Sequence, residues 1–246
     1  MSRYGDRWAP YVSVAERRAD AERQIAALRK NGQAVAPVII NTRAIATSFW
    51  GKAWCENLES YSDFEYRLPR GRSYARNRAV LDLQIEPLAI KALVRGSSTY
   101  RVTVNIAAAP GPHWAAICRD CAGGIDSLVE LLQGRFSTAV MERICRHGQG
   151  LFPKPSEIGF SCSCPDYADM CKHVAAVLYG VGARLDESPE LLFRLRGVDE
   201  TELLAQMDAA GPLSRASPAA DRTLKSEDLS ALFGLELTAD DEPAGF

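Results

Sequence analysis

Four side chains of the types that bind zinc lie within twelve residues of this chain, and their spacing constrains the fold more than any other feature. The segment holds a CxC pair, six spacer residues and a CxH pair, formed by Cys162, Cys164, Cys171 and His173. Structural Zn²⁺ takes four nitrogen or sulfur ligands in a tetrahedron, and three thiolates with one imidazole supply that set. The sequence therefore predicts one structural zinc ion.

The same spacing predicts the local structure around the ion. Residues i and i+2 of a strand point to the same side, so a strand over Ile158–Cys164 directs both cysteines of the first pair toward one ion. A turn begins at Pro165. Apolar residues then recur at helical spacing over Val174–Leu185, which puts Cys171 and His173 at the start of a helix. We expect a finger made of a strand, a knuckle and a helix.

Two other interpretations of these four residues are open. Free cysteine is among the most buried residue types, so the group could be core residues with one ordinary histidine. The CxC pair could also be a redox dithiol. A dithiol does not require a CxH pair six residues later, and no thioredoxin-like pattern of strand and helix surrounds the motif. Zinc binding accounts for all four residues.

The finger pattern, with the helical run Val-Ala-Ala-Val-Leu-Tyr after His173, resembles the SWIM zinc finger. The wider chain resembles bacterial SWIM zinc finger proteins over most of residues 45–200, including the stretches Phe49–Ser60, Arg70–Arg78 and Leu178–Asp186. The resemblance implies zinc binding by the four cysteine and histidine ligands. It also implies a role in binding DNA or protein, often together with a helicase-like DNA-dependent ATPase, and no catalytic activity of its own.

Composition predicts a globular protein of the cytoplasm. A chain of 246 residues with 47% hydrophobic content can bury a core in one or two domains. No apolar run reaches the roughly 18 residues that a membrane helix needs, and the first residues lack the apolar region of a signal peptide. Seven cysteines, four of them in the metal pattern, suit a reducing compartment better than a disulfide framework.

Helical signals flank the central part of the chain. Ser13 and Glu16 have the spacing of a capping box before a polar helix that runs to about Lys30. The other predicted helices are Ser48–Glu59, which carries two core tryptophans, Ile125–Gln133, Ser137–His147, and two that begin near Ser188 and Asp199.

Alternating apolar and polar residues predict strands between these helices. The runs are Ala79–Ile85, Ile90–Val94 and Tyr100–Ile106, and they are joined by short turns. The predicted fold is therefore α+β: an antiparallel β-meander with flanking helices, followed by the zinc-stapled strand-knuckle-helix finger and a helical cap.

The predicted domain organisation has five parts. They are an N-terminal helical extension (1–44), a basic α+β domain with the antiparallel sheet (45–157), the zinc finger with its helical cap (158–208), a flexible linker (209–224) and an acidic C-terminal segment (225–246).

Charge is distributed unevenly along the chain. The net charge is +7 over residues 1–102 and −8 over residues 199–246. A basic front and an acidic tail indicate either an anionic partner or a tail that folds back onto the basic surface. In the tail, Leu229, Leu232 and Phe233 share one side of a short capped segment, which could dock on a partner protein or on its own domain.

The basic stretch 66–78 is the candidate nucleic-acid surface. It contains five arginines, two tyrosines and no acidic residue. Arginine binds phosphate through forked hydrogen bonds, and tyrosine can stack on an unpaired base. The alternative is a solvated loop paired with the acidic residues just upstream. The candidate contacts are Arg67, Arg70, Arg72, Tyr74, Arg76 and Arg78, with Lys172 of the knuckle as a further one.

A second group of possible ligands lies outside the finger. Cys118 and Cys121 form a CxxC pair, and Cys145 and His147 follow after a gap of 23 residues. Two observations argue against a second metal site, but the sequence alone does not decide whether these residues form one. The gap is long, and both pairs lie in or beside stretches with helical periodicity.

Sequence motifs of enzymes are absent from the chain. It contains no GxxxxGK[ST], HExxH or GxSxG motif, so any ATPase activity belongs to another protein. The leading hypothesis is a zinc-binding, non-catalytic accessory protein that binds nucleic acid, most plausibly DNA, alongside a helicase-like DNA-dependent ATPase. The alternative is a protein-interaction adaptor in which the zinc finger is purely structural.

Overall fold

The computed structural model describes residues 12–61, 65–122, 136–168 and 170–203. The predicted helix Ile125–Gln133, the predicted linker 209–224 and the C-terminal segment with Leu229, Leu232 and Phe233 lie outside these residues. The described helices are α1 (Val14–Lys30), α2 (Phe49–Glu59), α3 (Leu68–Arg76), α4 (Gly111–Cys121), α5 (Thr138–Cys145), α6 (Lys172–Glu187) and α7 (Leu191–Arg196). The strands are β1 (Val80–Glu86), β2 (Ala89–Arg95), β3 (Thr99–Ile106) and β4 (Ile158–Cys162).

The four strands form one antiparallel sheet in the order β1-β2-β3-β4. β1, β2 and β3 are the predicted meander, joined by short turns, and the predicted α+β class is confirmed. A bulge between Val80 and Asp82 lets Val80 and Leu81 both be buried, although they are neighbours in a strand.

The strand that leads into the zinc motif completes this sheet. Residues Ile158–Cys162 of β4 pair with β3, with Ile106 opposite Ile158 and Val102 opposite Cys162. A short 3₁₀ turn at Pro155–Glu157 precedes β4. The first cysteine pair is therefore anchored to the meander through backbone hydrogen bonds, and not through the finger alone.

Helix α6 lies at the centre of the core and packs on α2, α3 and the sheet. Most of its residues from His173 to Gly182 are buried, including Tyr179. The indole Nε1 of Trp54 donates a hydrogen bond to the carbonyl of Leu178 at 2.8 Å. Trp50 and Trp54 are both 3% exposed, which confirms that the tryptophans of α2 belong to the core.

The ends of α1 and α6 are fixed by side chains. Ser13 and Glu16 form the predicted capping box at the start of α1. Near the end of α6, the Asp186 carboxylate accepts hydrogen bonds from the backbone NH and the hydroxyl of both Thr47 and Ser48, just before α2. These bonds tie the C-terminal end of the finger helix to the N-terminus of α2.

Two elements differ from the sequence-based prediction. The basic stretch, for which the alternative was a loop, is helical over Leu68–Arg76. Pro69 suits the first turn of a helix, and burial of Leu68 and Ala75 against the core stabilises it despite Gly71. The cap helix α7 begins at Leu191, after Pro189, and not at Pro189 itself. Within the described residues, no helix is both long and apolar enough to cross a membrane.

Candidate metal centre

The first cysteine pair is presented by the end of β4. Cys162 is the last residue of the strand, and two hydrogen bonds of 3.0 Å between Arg101 and Ser163 continue the contact with β3 beyond it. Cys162 and Cys164 are both half-buried, whereas Ser161 and Ser163 are exposed. This alternation directs the two sulfurs to the same side, as the CxC spacing predicts.

The second pair lies at the start of α6. Cys171 is the N-cap residue, and His173 is the second residue of the helix. Both side chains are buried, Cys171 at 1% and His173 at 3% exposed. Free backbone NH groups and the positive end of the helix dipole at this position favour a thiolate over a neutral thiol. The helix start therefore both aims the two ligands and favours their metal-binding form.

The four side chains converge on one point and are called here the Cys₃His cluster. The sulfurs of Cys162, Cys164 and Cys171 and a ring nitrogen of His173 all lie within 4.8 Å of one another. The Nδ1 atom of His173 is 3.9 Å from the sulfur of Cys162 and 3.7 Å from that of Cys171. Tetrahedral Zn²⁺ with Zn–S of about 2.3 Å and Zn–N of about 2.0 Å separates sulfur and nitrogen by about 3.5 Å. The two sulfur–nitrogen separations of the cluster are close to this value, so the four side chains fit one zinc ion.

The protonation chemistry of the cluster also fits a bound cation. Burial raises the pKa of the Cys162 thiol to about 12. Burial likewise raises the pKa of Cys171, against hydrogen bonds from the backbone NH groups of Val174 and His173. Burial, and then the charge of Lys172, lower the pKa of His173 to about 4. The imidazole is thus neutral and ready to coordinate, while the buried thiolates need a divalent cation to offset their charge.

The imidazole of His173 is held from three sides by the sheet and α3. Its ring centroid is 4.6 Å from that of Tyr100 and 5.5 Å from that of Tyr74. The third contact is the backbone of Gly96: a Cβ there would lie 2.7 Å from His173 Nε2. Only glycine leaves room for the ring at this point of the β2–β3 turn. Because Nδ1 faces the sulfurs, this packing selects the nitrogen that coordinates the metal.

The basic helix α3 docks directly on the finger helix. A Cβ at Gly71 would overlap the Cβ of Ala175 and approach its carbonyl carbon to 2.7 Å. The backbones of α3 and α6 therefore touch two residues, about half a turn, after the metal ligand His173. The zinc ligands and the candidate nucleic-acid residues consequently belong to one packed unit, which the linear order of the chain does not reveal.

The seven candidate nucleic-acid residues fall into two groups in the structure. Three have ionic partners: Arg67 pairs with Asp166 of the knuckle, Arg72 with Glu59, and Arg78 with Glu22. Arg72 also lies over the ring of Tyr179, 5.3 Å from its centroid. The second group consists of Arg70, Tyr74, Arg76 and Lys172. Within the described part of the chain, the three basic residues of this group form no ion pair.

One feature at the zinc end connects the second group to the metal ligands. The Nζ atom of Lys172 lies 5.9 Å from the centroid of the Tyr74 ring, over its face. Tyr74 in turn contacts His173 edge to face. Arg70 is exposed on the same helix as Tyr74. The start of α6 and one side of α3 therefore present two basic side chains and a tyrosine close to the Cys₃His cluster.

The second possible group of ligands does not assemble. Cys118 and Cys121 are buried in α4, and burial raises the pKa of Cys118 to about 12 and that of Cys121 to about 11. His147 is instead bonded to the hydroxyl of Ser60, at 3.0 Å from Nε2. Among the residues that the structure describes, the Cys₃His cluster is the one group with metal-binding geometry.

Three residues that position the ligand His173 and the basic helix could not be predicted from the sequence. They are Gly96, Tyr100 and Gly71. Each acts through a contact with a residue far away in the chain, so neither periodicity nor motif spacing carries a signal for it.

Comparison with known proteins agrees with this geometry. Residues 161–181 match the model of the SWIM zinc finger family. The chain is 37% identical over 181 residues to the protein named Uncharacterized protein Rv2102 of Mycobacterium tuberculosis (strain ATCC 25618 / H37Rv). The alignment covers 72% of this chain and 65% of that relative, so the chain spans less than two thirds of the relative's length. No solved structure matches the chain. Residues 161–181, which contain all four members of the Cys₃His cluster, are a SWIM zinc finger.

Proposed function

We propose that this protein is a zinc-stabilised, non-catalytic accessory protein of the cytoplasm that binds nucleic acid, with DNA as the expected form. The observation that carries the proposal is the direct packing of the basic helix α3 on the finger helix at Gly71 and Ala175. Zinc would hold the start of α6 in place, and α6 in turn would hold α3. The metal then acts as a structural element for a basic surface.

The proposed contact surface consists of Arg70, Tyr74, Arg76 and Lys172. The three cations have no ionic partner among the described residues, so they are fully available to phosphates, whereas Arg67, Arg72 and Arg78 each already have one ion pair within the protein. Tyr74 adds an aromatic ring beside the cations, a combination that suits single-stranded nucleic acid. Three phosphate contacts predict a log-log slope of affinity against salt on the order of −2 to −3.

A role as an enzyme finds no support in the metal centre. A catalytic zinc keeps one coordination position open for water, whereas a set of four protein ligands closes the site. The chain also has no phosphate-loop motif. We therefore extend the proposal to cooperation with a helicase-like DNA-dependent ATPase, which the family resemblance implies. Affinity purification of the tagged protein from its own cells should recover such an ATPase. If no ATPase is recovered, the proposed cooperation with a helicase-like ATPase is contradicted.

The proposal is tested by fluorescence anisotropy of labelled single- and double-stranded DNA across a salt series. The zinc-loaded protein should bind with the stated slope, and the variant Arg70→Ala/Lys172→Ala should bind at least tenfold more weakly. The variant Arg119→Ala/Arg194→Ala removes two charges from exposed arginines of α4 and α7 and serves as the control for net charge. Absence of binding by folded, zinc-loaded protein at low salt would contradict the proposal and favour the protein-interaction adaptor.

A further inference from the structure

A cavity of about 360 Å³ lies between α1, the end of α3 and the segment that precedes α2. Its size is at the lower end of the range for small-ligand sites. No carboxylate lines it among the described residues, and its polar lining residues are Arg18, Asn41, Thr42, Arg43, Arg76 and Arg78. Four arginines from three separate parts of the chain therefore line one small volume, here called the arginine pocket.

Within the described part of the chain, these arginines make few hydrogen bonds to other protein groups. Arg18 uses one Nη2 hydrogen bond, at 3.2 Å, to the carbonyl of Arg76 at the end of α3. Arg78 is bonded through Nη1 to Glu22 at 2.6 Å. In the described residues, Arg43 and Arg76 have no ion pair, and each guanidinium offers five N–H groups. Four positive charges are thus opposed by one carboxylate, that of Glu22, which belongs to α1 and does not line the pocket.

The backbone conformation of Arg78 is independent evidence that an arginine side chain has a function at this position. Helix α3 ends in a Schellman motif: the NH of Ala79 bonds to the carbonyl of Tyr74, and the NH of Arg78 bonds to that of Ala75. The residue at the C′ position of this motif is left-handed, and glycine is the usual residue there. Here it is Arg78, with φ of 60°. A bulky residue in this region is strained, and such strain is typical of functional positions.

Stabilisation of the helix end explains only part of this arrangement. Cations near a helix C-terminus interact favourably with its carbonyl groups, and Arg18 has that role. It does not require Arg43, which comes from a different segment, and it does not require Arg78 at a position where glycine is less strained. An exposed ion pair such as Arg78–Glu22 also contributes little to stability. The remaining explanation is an anionic ligand.

We propose that the arginine pocket is a binding site for a phosphate group. Phosphate matches the fork geometry of guanidinium, accepts several hydrogen bonds at once, and carries enough charge to bring four arginines together. The phosphate could belong to a nucleic-acid strand, in which case this site rests on the proposed function and extends it from the α3 surface to α1. It could also belong to a small phosphorylated ligand, and the pocket is then independent of nucleic acid.

The test measures the melting temperature of the zinc-loaded protein in inorganic phosphate against chloride at matched ionic strength. We expect phosphate to raise the melting temperature of the wild type. In Arg78→Gly the phosphate-dependent rise should be lost, because Kd rises on the order of tenfold or more. Without phosphate, Arg78→Gly should melt at the same temperature as the wild type or higher, because glycine relieves the left-handed strain. Loss of binding then cannot be attributed to misfolding.

Two controls make the result specific. Arg17→Ala removes the same charge from a residue of α1 that is next to Arg18 but does not line the arginine pocket. This variant should keep the phosphate-dependent rise in melting temperature. General salting-out by phosphate stabilises wild type and variants equally, so only the difference between them counts. An equal rise in the wild type and Arg78→Gly, or no rise in the wild type, would overturn the proposal.

DNA oligonucleotides with and without a 5′ phosphate identify the source of the phosphate once the pocket is established. Tighter binding of the 5′-phosphorylated strand, lost in Arg78→Gly, indicates a strand end. Equal binding of both strands, weakened in Arg78→Gly, indicates a backbone phosphate. If inorganic phosphate binds and neither strand does, the pocket serves a small ligand and the proposed nucleic-acid function fails. If DNA binds but phosphate has no effect, the pocket fails and the α3 surface remains.

Discussion

Gly71 of α3 and Ala175 of α6 touch with no side chain between the two helices. A Cβ at position 71 would overlap that of Ala175, and it would lie 2.9 Å from the backbone nitrogen of Ala176. Since His173 lies only two residues before Ala175, this contact places the basic helix about half a helical turn from a metal ligand. The account depends on this relationship, because it makes the zinc finger a support for α3.

Substitution of Gly71 tests the helix contact directly. Gly71→Ala should destabilise the protein by about 1–3 kcal/mol, because backbone atoms cannot move away from the added methyl group. It should also weaken DNA binding while one equivalent of zinc is retained. Urea unfolding, metal analysis and anisotropy measure the three effects. Gly111→Ala, at a helical position with no atom within 4 Å of the added carbon, should have no such cost. Equal stability of the two variants would contradict the contact.

Gly96 should control the affinity of the metal centre. In Gly96→Ala the new methyl group would lie 2.7 Å from His173 Nε2 and 2.8 Å from the Tyr100 ring. The imidazole must then shift from its present position against the sulfurs, so zinc affinity should fall by about 10–100-fold, the range for disturbed contacts that orient a metal ligand. Competition with a chromogenic chelator measures this change. Gly159→Ala in β4, where the nearest atom is 3.9 Å away, is the matched control and should retain wild-type affinity.

Removal of a single thiolate should release the metal and unfold the finger. Cys164→Ser should lower the zinc content well below one equivalent and reduce the melting temperature, because apparent binding energies of structural zinc are roughly 10–16 kcal/mol near neutral pH. Cys145→Ser, a half-buried cysteine outside the cluster, should keep one equivalent. A full equivalent of zinc in Cys164→Ser would contradict the ligand assignment, and loss of zinc in Cys145→Ser would revive the second group of ligands.

Much of this architecture could be predicted because its signals are local. The four zinc ligands lie within twelve residues, the meander alternates over three adjacent runs, and Ser13 caps its own helix. The helix α3 could not be predicted in the same way. Gly71 disfavours a helix when the segment is considered alone, and what stabilises α3 is burial against α6, about one hundred residues later in the chain. The left-handed conformation of Arg78 and the contact of Gly96 with His173 also depend on tertiary packing.

The carboxylate of Asp186 should stabilise the junction of α6 and α2 through an ionised group. Burial acts to raise its pKa, but hydrogen bonds from Ser48 and Thr47 outweigh burial, and the pKa of Asp186 falls below its ordinary value. A lowered folded pKa means that the stabilisation is complete above the unfolded value of about 3.9 and is lost only as pH falls through the folded value. Asp186→Asn should therefore lower the free energy of unfolding by about 1–3 kcal/mol. The loss should be the same at about pH 6 and about pH 8.

Urea unfolding at the two pH values checks this prediction. Glu187→Gln removes the same charge from the neighbouring, exposed residue and should change stability by less than about 0.5 kcal/mol. A destabilisation by Asp186→Asn that differs between the two pH values would show that Asp186 titrates near neutrality, against the direction of its pKa. A value close to that of Glu187→Gln would show that the hydrogen bonds to Thr47 and Ser48 contribute nothing.

Hydrogen exchange of the wild-type protein with and without zinc tests the central claim most directly. If the metal supports the basic helix through α6, its removal should accelerate amide exchange in α3 (Leu68–Arg76) together with the first turns of α6. Helix α4 (Gly111–Cys121), which lies outside the finger, should keep its protection. Unchanged protection of α3 in the metal-free protein, with loss confined to the knuckle and the start of α6, would contradict the account.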